Sequence, residues 1–429
     1  MRLGGRLAGA IEVLADIEAR RRPVADALKD WGLAHRFAGS GDRAAIGNIV
    51  YDALRMKLSH AWVMDDDSAN ALGYAVMLRQ WGQSVEQLAA EFEGDKFAPQ
   101  PLSDAAASAF ASRSLADAPH HVQGDIPDWV QASFEATFGE NWLREAQALN
   151  LRPTLDLRAN TLKASRTKVI KALEDAKAQA TRIARHGVRI AAGEGPSRLP
   201  NVTAELSFQK GWFEVQDEGS QIVADLVGAQ ESEQILDYCA GGGGKTLAMA
   251  ATMNNKGQVH AFDADRKRLA PIIERLKRAG TRNVQVHDRA ENLERYQGKF
   301  DRVLVDAPCS GTGTWRRRPD TKWRLTQRNL EERVEQQVQA LDQAKMFVRP
   351  GGELVYVTCS VLPEENERQV RRFCAENPEF SIRSGLDRWT SIFGADTIKP
   401  HSSDGETVTL TPATTDTDGF FFCAMKRTA

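Results

Sequence analysis

The chain has 429 residues, 42% hydrophobic and 27% charged, with a net charge of -2. That length allows two or three domains with sizeable cores, and the composition is ordinary for a soluble globular protein. A balance this close to neutral excludes a bulk polycation, the lack of a long apolar run excludes a transmembrane helix, and five cysteines without paired spacing exclude a disulfide framework. The opening residues Met1 to Arg6 carry no signal-peptide core, so a reducing, cytoplasmic location is expected. No metal-ligand spacing stands out, and no coiled-coil heptads argue against a monomer.

Residues 1–125 are predicted to form an all-helical domain. Ala8–Arg20 and Arg43–Arg55 carry apolar residues at three-to-four spacing, and Ala71–Trp81 and Val85–Phe92 are further amphipathic candidates. Asp65-Asp66-Asp67 lacks the spaced acids of a calcium loop and is expected as a loop or cap. Asp117–Gln123, with Pro119 and two histidines, is expected to be a linker. Residues 126–215 then form a small α+β subdomain. Leu155–Asn160 alternates like a strand, and Lys168–Lys177 is a helix with Thr167 placed to cap it.

From residue 216 to 429 strands and helices alternate regularly, which predicts a doubly wound parallel sheet. Strands are expected at Gln234–Asp237, Gln258–Phe262, Val284–His287, Arg302–Val305 and Glu353–Val357, with a last one in Gly419–Met425. Arg266–Ala279 reads as one helix closed by Gly280, and Leu330–Val348 as the crossover helix between the fourth and fifth strands. Each distinctive residue falls at the carboxyl end of a strand, the edge where open α/β sheets bind ligands. The run Cys239-Ala240-Gly241-Gly242-Gly243-Gly244-Lys245 follows the first strand. Asp263 follows the second, Asp288 the third, Asp306 and Cys309 the fourth, and Cys359 the fifth.

The run ending Gly244-Lys245-Thr246 lacks the leading glycine of a P-loop, because Cys239 stands there. It still allows a ligand close to the backbone. Asp263 lies roughly 20 residues on, where an acid reaches a ribose diol, and Asp288 suits an adenine amino group. NAD and S-adenosylmethionine both satisfy these features. The two cysteines decide between them. Carbon 5 of a pyrimidine is a poor nucleophile, but a thiolate adding at carbon 6 makes it enamine-like and able to attack a methyl sulfonium. Asp306 is placed to stabilise the ring as electron density moves onto it. A dehydrogenase leaves the cysteine pair unexplained. Cys239 is expected to pack against the loop, and Cys374 and Cys423 in the core.

The motifs Tyr238–Thr246, Asp306-Ala-Pro-Cys-Ser310, Arg318–Trp323, Val357–Asn366 and Asp418–Phe421 resemble those of RNA (cytosine-5)-methyltransferases of the Sun/RsmB type. Leu157–Leu162 and Val215–Gln221 match as well, so the resemblance runs from about Pro127 to the C-terminus. It implies a Rossmann-like methyltransferase domain that holds S-adenosylmethionine through Cys239 to Lys245, Asp263, Asp288 and Asp306. It also implies Cys359 as the nucleophile and Cys309 as the residue that helps release the product. The candidate catalytic set is therefore Cys359, Cys309, Asp306 and Lys245. One departure is visible: the family loop reads Ala-Pro-Gly-Gly where this chain has Gly241 to Gly244, and loss of proline should loosen it. That departure is the only support for the competing reading, an RNA-binding assembly factor that has lost turnover. The helical region more weakly resembles a NusB-like RNA-binding domain, carried by Asp42-Arg43 and Ile49–Arg55. This favours small-subunit ribosomal RNA over transfer RNA as substrate. RNA contacts are expected at Arg316, Arg317, Arg318, Lys322 and Trp323, with Trp315, Arg324 and Arg328 nearby, because arginines suit phosphates and aromatics suit bases.

Overall fold

The computed structural model describes residues 1–428, and these divide into two compact units. The first comprises Met1–Pro153 together with Ala192–Leu199 and Trp315–Leu325. Its long helices are Leu3–Arg20, Ser40–Arg55 and Ala69–Arg79, which overlap the spans the periodicity predicts, and Val24–Ala34, which it did not single out. Their apolar faces meet in one core containing Leu7, Ala10, Ile46, Ile49, Val50, Leu72 and Val76. Asp65 ends the helix Lys57–Met64 with φ 48°, and Asp66 accepts from the Ser68 backbone N–H at 2.8 Å. The acidic run is thus a turn and a cap.

The expected linker is not one. Pro119 starts a helical turn, His120–Gln123, whose Val122 is buried. Just beyond, buried Asp125 accepts from the Ser59 N–H at 2.9 Å. Proline is compatible with a helix start, so the residue that suggested a break instead begins an element. The helices Gln131–Phe138 and Trp142–Ala148 also fall within this first unit.

The second unit comprises Thr154–Ala191, Pro200–Thr314 and Thr326–Ala429. It begins with a small antiparallel sheet of β1 (Leu155–Ala159), β2 (Gln179–Ala180), β3 (Gly187–Ile190) and β4 (Phe213–Val215), in the order β2-β3-β1-β4. The helix of this subdomain runs Arg166–Ala172, earlier than expected. Its cap is Ser165, which accepts from the Lys168 N–H at 3.3 Å, and not Thr167.

The main sheet has eight strands: β5 (Gln234–Asp237), β6 (Gln258–Phe262), β7 (Val284–His287), β8 (Phe300–Asp306), β9 (Val348–Thr358), β10 (Phe380–Arg383), β11 (Val408–Leu410) and β12 (Phe420–Arg427). The order is β10-β12-β9-β8-β5-β6-β7, with β11 also paired to β12. Strands β5 to β9 pair in parallel, whereas β12 is antiparallel to β9, β10 and β11. The central strands are apolar on both faces because both are covered. Leu304, Val355, Val357 and Phe422 join one core, while Val303, Val305, Tyr356 and Phe421 join the other. The helix expected over Arg266–Ala279 is broken into Arg266–Leu269 and Ile272–Ala279, because Pro271 cannot supply the backbone donor. Gly280, at φ 71°, closes the second piece as expected. Among the described residues, no helix is long and apolar enough to cross a membrane. Among the described residues, no group of three or more His, Cys, Asp or Glu is placed to hold a metal ion.

Candidate active site

Strands β8 and β9 run in parallel with Asp306 opposite Val357, so the turns that leave them lie side by side. This brings Cys309 Sγ to 3.2 Å from Cys359 Sγ, both as free thiols and both half-buried. Two residues pin the turns. Buried Glu365 accepts from the Ser310 N–H at 2.7 Å, from the Ser310 hydroxyl and from Gln337 Nε2 at 3.0 Å. Gln337 also donates to the Pro308 carbonyl at 3.0 Å, fixing the Cys309 turn from its other side. Buried Asn366 accepts from Thr358 Oγ1 at 2.6 Å and donates to the Ser360 carbonyl at 2.9 Å, which brackets Cys359. The Cys359 carbonyl accepts from the Gly313 N–H at 3.0 Å. Gly313 must be glycine, since a Cβ there would lie 2.2 Å from the Gly419 carbonyl oxygen.

The Cys309 thiol is pushed well above its ordinary range, first by its hydrogen bond to Cys359, then by burial and by nearby negative charge that includes Glu365. In that contact either sulfur can be the donor. Glu365 is itself shifted upward by burial, offset in part by the hydrogen bonds from Ser310 and Gln337.

Beside this pair, at the ends of β5, β6 and β8, three carboxylates converge. Asp306 binds Lys245 Nζ at 2.6 Å, and that buried ammonium lies 5.3 Å from the Phe420 ring centroid. Asp263 accepts from the Gly241 N–H at 2.9 Å and the Asp265 N–H at 2.8 Å, tying the glycine loop to β6. Asp237 accepts from Thr246 Oγ1 at 2.6 Å, and its other oxygen is buried with no partner. Its pKa is raised to about 7, first by burial and then by Asp306 and Asp263, against the Thr246 hydrogen bond. Gly243 adopts φ 80°, and a Cβ there would lie 2.4 Å from Ile272 Cγ1, so glycine is required at this point. A carboxylate-rich strand edge beside a glycine loop fits S-adenosylmethionine, whose sulfonium and ammonium groups are cationic and whose ribose needs an acceptor. Cys239, Ala240 and Gly241 to Gly244 form the loop itself. Asp288 follows β7 at the same edge, exposed, and accepts from Asn292 Nδ2 at 3.3 Å. Asp237, Glu365, Asn366 and Gln337 were not singled out by sequence reasoning. Asp237 carried the same signal as Asp263, an acid ending a strand.

The basic segment after Cys309 is placed differently from expectation. Trp315–Leu325 belongs to the first unit. Lys322 is fully buried there, donating to the Arg55 carbonyl at 3.0 Å and to Asn150 Oδ1 at 2.6 Å, and burial lowers its pKa to about 7. Arg316 is buried, and its carbonyl accepts from Arg55 Nε at 2.8 Å. Trp315 stacks on Phe134 with centroids 6.0 Å apart, and Trp323 Nε1 donates to the Leu54 carbonyl at 2.6 Å. Burial at Lys322 and Arg316 favours a packing role over contact with RNA, and the Lys322 ammonium already serves two protein acceptors. Arg317 is half-buried, and Arg318, Arg324 and Arg328 are exposed.

Residues 224–426 match the family profile described as 16S rRNA methyltransferase RsmB/F, and residues 126–194 match that of an RsmF/B-like, ferredoxin-like domain. The chain is 33% identical to a probable ribosomal RNA small subunit methyltransferase B of Synechocystis sp., over 71% of this chain and 67% of that one. It is 35% identical to ribosomal RNA small subunit methyltransferase B of Yersinia pseudotuberculosis, over 69% of this chain and 65% of that one. These matches span about two thirds of the relatives' length. A solved methyltransferase homolog protein from Pyrococcus horikoshii is 25% identical with a TM-score of 0.60, covering 73% of this chain and all of its own. The chain belongs to the RsmB/F family of 16S rRNA methyltransferases, S-adenosylmethionine-dependent enzymes that act on RNA.

Proposed function

We propose that this chain methylates carbon 5 of a cytosine in 16S ribosomal RNA through a covalent bond between Cys359 and carbon 6. The observation that carries this reading is the 3.2 Å contact between the Cys309 and Cys359 thiols at adjacent strand ends. Cys359 adds to carbon 6, and the ring electrons move to carbon 5, making it nucleophilic. S-adenosylmethionine, held by the glycine loop with Asp263, Asp288 and Asp306, supplies an electrophilic methyl group. Asp306, held by Lys245, accepts from the cytosine amino group and orients the ring, and the Lys245 ammonium beside it offsets the negative charge that shifts onto the base. Loss of the carbon 5 proton and cleavage of the carbon–sulfur bond then restore the aromatic ring, a step that Cys309 serves. The first unit, with Arg317 and Arg318, contributes RNA contacts, and the substrate implies action in the cytoplasm. The test is incubation of the purified chain with S-adenosylmethionine and 16S rRNA, followed by nucleoside mass spectrometry. 5-Methylcytosine is expected from the wild type and less than 1% of it from Cys359→Ala. Methylation of a different atom, or undiminished product from Cys359→Ala, overturns the reading.

A further inference from the structure

The glycine run Gly241 to Gly244 is the most flexible sequence a cofactor loop can have, since each glycine loses more backbone freedom on ordering than any other residue. Yet the structure holds the loop from outside. Arg275 donates from Nη1 to the Gly242 carbonyl, and from Nε and Nη2 to Glu214 Oε2 at 3.1 and 3.0 Å. Glu214 is buried on β4 and takes a second arginine, Arg278, on its other oxygen at 2.5 Å. Arg275 does more than bond the loop. A Cβ built on Gly242 would lie 3.2 Å from Arg275 Nη1, one on Gly243 would lie 2.4 Å from Ile272 Cγ1, and one on Gly241 would lie 3.4 Å from Arg268 Nη2. Arg268 on the first helical piece, and Ile272 and Arg275 on the second, thus lie against successive glycines.

We infer that Arg275, anchored by Glu214, is a positioning residue that replaces the constraint of the family's loop proline and sets the affinity for S-adenosylmethionine. The guanidinium occupies the space a side chain at position 242 would take, and its three bonds to Gly242 and Glu214 fix the peptide in its place. The fork geometry makes this an arginine function, since lysine reaches only one acceptor at a time with comparable direction. The ordering cost is moved from the loop to an ion pair formed when the chain folds, so that cofactor binding does not have to supply it.

The inference rests on the cofactor assignment, and the test separates the two. Calorimetric titration with S-adenosylmethionine is run on the full chain and on Arg275→Ala, Arg275→Lys and Arg275→Ala/Gly242→Pro, with hydrogen exchange at residues 241–244 in the cofactor-free proteins. Arg275→Ala should raise Kd about tenfold and speed exchange at the loop, with Arg275→Lys falling between. Adding Gly242→Pro to Arg275→Ala should recover most of the affinity, because the arginine that crowds position 242 is gone; a residue with a merely structural role would not be rescued this way. Unchanged Kd and exchange in Arg275→Ala overturn the inference. So does a loss of affinity that proline fails to recover in a chain whose near-UV spectrum shows it folded. Should Arg275→Ala not fold, an Arg275→Lys variant binding as tightly as wild type overturns it as well. Failure of the wild type to bind S-adenosylmethionine contradicts the cofactor assignment itself.

Discussion

Glu365 satisfies three donors at once, two from Ser310 and one from Gln337, and so determines where Cys309 sits. Glu365→Ala leaves those donors buried without an acceptor and should lower stability by about 2–4 kcal/mol, read by urea unfolding. It should also lower kcat without a matching change in the Kd for S-adenosylmethionine; equal losses in both would mean that Glu365 supports the whole sheet edge instead. Asp237 makes a pH prediction. Its folded pKa of about 7 lies above its ordinary value of 3.8, mainly through burial. Between those values the folded chain keeps a proton that the unfolded chain has lost, so stability falls as pH rises, by about 1.4 kcal/mol per unit at most for one proton. Asp237→Asn should flatten the fall between pH 4 and 7, and an unchanged slope in urea unfolding would contradict the shift. At this scale the sequence was half legible. Cys309, Cys359 and Asp263 could be found because a parallel sheet delivers strand-end residues to one edge. Glu365 and Arg275 could not, because their partners Ser310, Gln337 and Glu214 lie far away in the chain and nothing local marks the pairing.

At the scale of elements, apolar periodicity located most of the long helices, though not Val24–Ala34, and every strand of the parallel core, since burial on both faces leaves continuous β-branched runs. Local punctuation misled in three places. Pro271 splits a helix that periodicity joins, Ser165 caps where Thr167 was expected, and Pro119 starts a helical turn in place of a linker. The segment Trp315–Leu325 shows the deeper limit. Its alternating arginines and tryptophans look like an RNA contact in sequence, but Lys322 and Trp315 are core residues of the first unit. Composition cannot distinguish a charged group that meets solvent from one whose donors are used internally. Two variants separate them. Lys322→Ala should cost about 1–3 kcal/mol of stability, by leaving the Arg55 carbonyl and Asn150 short of a donor. It should leave the salt dependence of RNA binding unchanged. Arg318→Ala should leave stability within about 0.5 kcal/mol, weaken RNA binding and reduce the log–log salt slope by about one. Filter binding across a salt series reads both, and a reduced slope for Lys322→Ala would return that residue to the RNA surface.

For the whole molecule, the order of the chain carries a functional consequence. The residues proposed to hold S-adenosylmethionine and to attack the base come from five consecutive strand ends of one sheet, all within the second unit. The short sheet of β1 to β4 belongs to the same unit and reaches the glycine loop through Glu214 and Arg275. In the proposed function, cofactor binding and thiol chemistry therefore depend on the same sheet edge. The claim on which this account turns is the division of labour between the two thiols. It is tested most directly by mixing Cys309→Ala and Cys359→Ala variants with 16S rRNA and S-adenosylmethionine, then separating products under denaturing conditions. The account predicts a stable protein–RNA adduct for Cys309→Ala, which can attack but not release, and none for Cys359→Ala. An adduct formed by Cys359→Ala and not by Cys309→Ala would reverse the roles and contradict it.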